Sequence, residues 1–178
     1  MDILEPQQLA QEGQAEYEKG NYLSAANSFK AAADGFSSIG EELSAAEMAN
    51  NQSVALLQGG EAKPALEAAL GTDLIFAASG DIKHQAMAIG NQAAALEKLE
   101  RFDEAIEAYK KSGELLASVG EFELRAYVYQ SISSLQLKRG NYLEAYAVMR
   151  AGVMDVKQPN LTQRLLKSLM DVPFRFLK

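Results

Sequence analysis

Side-chain amides are the residues with the most chemistry to offer in this sequence. Asn50, Asn51 and Asn91, joined by Gln14, Gln52 and Gln92, form an amide-rich stripe. An amide presents a donor and an acceptor together, which is what a peptide backbone needs from a partner. The chemistry they could do is therefore recognition by hydrogen bonding, with no covalent step. The other role open to them is as solvated or inter-repeat amides that touch no ligand.

Residues suited to bond-making are scarce. The chain has no cysteine, which removes disulfides, thiolate nucleophiles and cysteine-based metal sites. Its single histidine, His84, follows Asp81-Ile82-Lys83 near a helix start and reads as an ordinary exposed or partly buried helical residue. Carboxylates are numerous, but they sit in surface patterns such as Glu104 with Glu107 and Glu121 with Glu123, or at helix starts that favour negative charge. Phosphate loops, GxSxG elbows and metal-ligand spacings are all missing from the sequence. The expectation is a protein with no enzymatic activity, no metal and no cofactor.

Length and composition frame what must position the stripe. A chain of 178 residues suits one compact domain or a short repeat array. Hydrophobic residues make up 48% and charged residues 23%, a balance that supports a folded core, and only four prolines interrupt a helix-favouring composition. The net charge of −7 argues against nucleic acid as the main partner. That charge is uneven: Val156 to Lys178 carries +4, and the first 155 residues carry −11. With no signal-peptide pattern at the start and no run of 18 apolar residues, the expected location is cytoplasmic.

The elements follow from a forty-residue period. Gly20-Asn21-Tyr22, Glu100-Arg101-Phe102 and Gly140-Asn141-Tyr142 fall in register, with Gly60-Glu61-Ala62 between them. Ala25, Ala65, Ala105 and Ala145 form a second series, and Phe29, Ala69, Tyr109 and Met149 a third, four residues on. A small residue lets two helices approach, and a large one on the same face fills the gap beside it. Gly40-Glu41, Gly80-Asp81 and Gly120-Glu121 mark the junctions between units. Each unit reads as helix A, tight turn, helix B. The predicted helices are 6–19, 23–38, 42–58, 63–78, 82–99, 102–118, 122–139 and 142–156, with a ninth starting near Asn160 or Leu161.

These series resemble the tetratricopeptide repeat family over residues 6–157. The small residue of helix A is matched by Gly13, Ser53, Ala93 and Ser133, and the longer period is similar to the family's forty-residue subclass. The resemblance implies an all-α, right-handed α-solenoid of four helix-turn-helix units, about 6–41, 42–80, 81–120 and 121–157, with a capping helix and basic apolar tail over 158–178. In the family, helix A lines a concave groove where a recurrent asparagine holds an extended partner. Asn51 and Asn91 match it, with Gln11 and Ser131 at the same phase in the outer units. The chain departs from the family where Glu12, Gln52 and Gln92 replace an apolar residue of helix A. It also lacks the lysine and arginine clamp used for chaperone tails.

The expected function is a non-catalytic interaction scaffold that takes a peptide or helix of a protein partner on its concave face. The partner-binding residues would be Gln11, Gln14, Asn50, Asn51, Val54, Leu57, Asn91, Tyr127, Ser131 and Lys138. Their mixture disfavours a highly charged partner. An alternative lies in the tail, where Leu161, Leu165, Leu169 and Val172 follow helical spacing before Pro173, Phe174 and Phe176. That segment could cap the last unit, lie on a membrane surface or pair in a homodimer, with Phe174 and Phe176 as the first contacts.

Overall fold

The turns decide where each helix stops. At Gly60 the backbone takes φ +86°, its N–H reaches the Leu57 carbonyl at 3.2 Å, and the Glu61 N–H reaches Leu56 at 2.9 Å. This pair of bonds satisfies carbonyls that the helix end would leave orphaned, and the left-handed residue at its centre favours glycine. The same geometry recurs at Glu100 with φ +60°, the one non-glycine residue with positive φ among those described. There the N–H groups of Glu100 and Arg101 reach Glu97 and Leu96, each at 3.0 Å.

A computed structural model describes residues 5–154 together with 156, 159, 164 and 168. The described residues are all helical or in turns, with nine helices. They are α1 (Pro6–Glu18), α2 (Tyr22–Ser38), α3 (Glu42–Gln58), α4 (Ala62–Ala69), α5 (Thr72–Ser79), α6 (Ile82–Lys98), α7 (Phe102–Ser118), α8 (Phe122–Lys138) and α9 (Tyr142–Met154). No helix among the described residues is long and apolar enough to cross a membrane. Arg164 and Ser168 are helical and exposed; the rest of the expected cap, with Phe174 and Phe176, lies outside the described residues.

One expected helix is corrected. The segment read as a single helix over 63–78 is two, α4 and α5, separated at Leu70 and Gly71. Leu70 is extended (φ −62°, ψ 129°) and Gly71 is left-handed (φ 82°, ψ −14°), the dihedrals of a type II turn. Gly71-Thr72-Asp73 carries the signal: a glycine able to adopt positive φ, then a hydroxyl and an acid suited to a new helix start. The forty-residue alignment hid it, because the other units run straight through this position.

The chain forms two compact units, Met1–Ala108 and Tyr109–Lys178, with the boundary inside α7. In the first, α1, α2 and α3 pack in succession, α3 packs on α4, α5 and α6, and α6 packs on α4 and α5. Its core joins Ala25, Phe29, Ala32 and Phe36 of α2 to Ala45, Met48 and Ala55 of α3. A second cluster joins Ala46, Phe76 and Ala88. Gly13 of α1 packs closely against the Phe29 ring, and a Cβ there would stand 2.7 Å from a ring carbon. In the second unit α8 packs on α9. Tyr129 of α8 meets Gly113 of α7 and Gly152 of α9, both too close to its ring carbons or Cβ to admit a side chain of their own. The Arg125 guanidinium stands 4.7 Å from the centre of the Tyr129 ring, in cation–π contact.

Candidate functional site

The first unit holds a small hollow of about 110 Å³. Gln14 and Tyr17 of α1 form one wall, Asn51 and Val54 of α3 the other, and the Phe29 ring of α2 lines it between them. Three residues of the expected partner-binding set (Gln14, Asn51 and Val54) thus converge on one place. Gln14 is oriented by its own helix, where Nε2 donates to Glu18 Oε1 at 2.8 Å. Tyr17 is held edge-on to Tyr22, with ring centroids 5.3 Å apart. The hollow is about the size of one side chain. Pockets for drug-sized ligands run to about 300–1,000 Å³.

The amide stripe divides into two kinds of residue. Asn50 is buried, and its Oδ1 lies 3.1 Å from Thr72 Oγ1, which also lies 2.8 Å from the Ala69 carbonyl. A hydroxyl has one proton, so Thr72 donates to Asn50 Oδ1 or to the Ala69 carbonyl, one at a time. Gln92 Nε2 donates to the same Ala69 carbonyl at 3.0 Å and to Asp73 Oδ1 at 2.9 Å. Asn50 and Gln92 therefore hold the interruption between α4 and α5, where the helix can no longer satisfy Ala69. Their chain neighbours Asn51 and Asn91 are partly exposed and make no side-chain hydrogen bond. One residue along a helix is a turn of about 100°, enough to place one amide inside and the next outside.

The other expected residues are placed as follows. Gln11 is exposed on α1 and Leu57 half-buried on α3, both outside the lining of the hollow. Asn91 lies on α6, which packs on α3. Tyr127, Ser131 and Lys138 belong to α8 in the second unit; Tyr127 is 63% exposed, and Ser131 Oγ lies 3.5 Å from the Tyr127 carbonyl. The sequence reading did not single out Thr72, the residue that binds Asn50. Its only local signal was a hydroxyl directly after a glycine.

His84 belongs to a helix cap. Asp81 accepts the His84 backbone N–H at 3.0 Å and lies 2.7 Å from His84 Nδ1 through its other oxygen. The backbone bond from His84 chiefly holds the Asp81 carboxyl below its ordinary range; partial burial opposes it, and the imidazole contact adds to the lowering. Among the described residues no group of three or more histidine, aspartate or glutamate side chains is placed to hold a metal ion.

Among the described residues of the second unit, α9 exposes several large apolar side chains. Tyr142, Leu143, Tyr146 and Met154 are exposed there, Leu143 by 88%. Open depressions of about 470 and 310 Å³ run along this helix, over Gly140–Glu144 and beside Tyr146, Arg150 and Met154. No protein-family model matches this chain, and no curated protein is significantly similar to it.

Proposed function

We propose that this chain is a tetratricopeptide-like repeat scaffold of the cytoplasm that binds a peptide or helix of a protein partner and catalyses no reaction. The observation that carries the reading is the hollow of the first unit, where the unengaged amide of Asn51 stands beside Tyr17 and Val54 over an aromatic floor. An apolar recess takes an anchor side chain, and an amide beside it takes the partner's backbone. Asn91 on the neighbouring helix extends the same chemistry by one unit. The right-handed solenoid and its concave face belong to this proposal.

The test is a pull-down from lysate of the source cells with wild type and the Asn51→Ala/Asn91→Ala variant. Neither amide is engaged in the fold, so melting should not change. A protein retained by wild type alone supports the groove. Equal retention by both removes it.

The exposed face of α9 favours a second reading, self-assembly or lipid contact through the C-terminal region. Light scattering and liposome flotation of the full chain and of a chain ending at Asn160 test it. Unchanged mass and no flotation in both would exclude this reading.

A further inference from the structure

Building on the reading of the hollow as a peptide site, we infer that its partner is a peptide with an apolar anchor flanked by lysine or arginine. The two helices that wall the hollow, α1 and α3, contain five glutamates and no lysine or arginine. Glu16 is engaged by Lys19 and Asn21, and Glu18 by Gln14. Glu12, Glu42 and Glu47 are exposed, and their carboxylates make no side-chain hydrogen bond or close ion pair.

The wider charge agrees. Residues 1–108, the first unit, carry eighteen acidic and six basic residues, a net −12, whereas residues 109–178 carry six acidic and eleven basic, a net +5. Several basic residues of the first unit are already paired with near neighbours, as Lys19 with Glu16, Lys30 with Asp34 and Arg101 with Glu104. The overall charge of −7 conceals this division.

The lining of the hollow itself is uncharged. The group that enters is therefore apolar or backbone, and the cationic residues lie on either side of it. The negative field speeds encounter with a basic peptide and discriminates against acidic ones, more than it adds to the contact itself. It also repels nucleic acid and anionic lipid headgroups from this unit.

Selection of random phage-displayed peptides on the immobilised full chain at low salt tests the inference. The expected pool is enriched in lysine and arginine around one large apolar residue. A chemically synthesised member should bind roughly tenfold more weakly on going from about 0.05 M to about 0.5 M NaCl. Glu12→Lys/Glu47→Lys, at two exposed carboxylates that make no side-chain hydrogen bond, should abolish the basic preference. A neutral or acidic pool on wild type, or no enrichment over the library, overturns the inference. Loss of such a neutral or acidic pool on Asn51→Ala/Asn91→Ala would leave the groove standing without its charge preference. Basic peptides held equally by that variant would overturn the inference and the groove together.

Discussion

The Thr72 hydroxyl and the Asn50 amide meet at 3.1 Å inside the first unit, twenty-two residues apart in the chain. Both groups are buried, so Asn50 depends on Thr72 for its hydrogen bond, and Thr72 on Asn50 and the Ala69 carbonyl. Thr72→Val keeps the shape and removes the hydroxyl, leaving Asn50 unpaired. It should destabilise by about 1–3 kcal/mol, the desolvation cost of a buried polar group without a partner. Urea unfolding of Thr72→Val, Asn50→Ala and the double variant should show less than additive loss. Full additivity would mean that the two groups do not depend on one another.

Gly13 and Phe29 set a steric limit. A methyl at Gly13 would meet the ring at 2.7 Å, and the ring is held in the core. Gly13→Ala should therefore destabilise by about 1–3 kcal/mol through overpacking, despite alanine's better helix propensity. Adding Phe29→Leu should recover part of the loss. Thermal melts of the three variants decide it, and a stabilised Gly13→Ala would contradict the packing described.

Glu100 occupies a left-handed position that elsewhere in the series is glycine, with φ +60°. The strain of a side chain there is about 1–2 kcal/mol, partly offset by the greater unfolded-state entropy of glycine. Glu100→Gly should raise stability by roughly 0.5–1 kcal/mol in denaturant titration. A loss on substitution would show that the side chain earns its place by another interaction.

The Asp81 cap predicts a pH dependence. Its folded pKa lies below its ordinary value of 3.8, so folding favours the carboxylate. The contribution is fully present above that ordinary value and disappears as pH falls through the lowered folded value. Asp81→Ala should remove about 1 kcal/mol near neutral pH, the usual worth of an N-cap, and less in acid. Stability curves of wild type and variant should converge as the pH is lowered; a constant gap would assign the effect to something other than charge.

Much of the architecture is legible in the residues. Turn chemistry at twenty-residue intervals marks the helix ends, and Ala25, Ala65, Ala105 and Ala145 are all buried as their place in the period requires. Gln14, Asn51 and Val54 could be named in advance because helical phase puts them on related faces, and three-dimensional packing brings them to one hollow.

What periodicity could not supply is the difference between neighbours. Asn50 and Asn51 are the same residue in adjacent positions, as close to equivalent as a sequence allows. Their roles separate only because α4 ends at Ala69, Gly71 turns the backbone, and Thr72 arrives opposite one of them. The same holds for Asn91 and Gln92. The rotation of each helix is set by what packs across from it, so the sequence by itself determined which residues carry amides. Tertiary packing decided which amides serve the fold and which remain at the surface, because an unsatisfied carbonyl inside the protein costs more than an amide turned away from water.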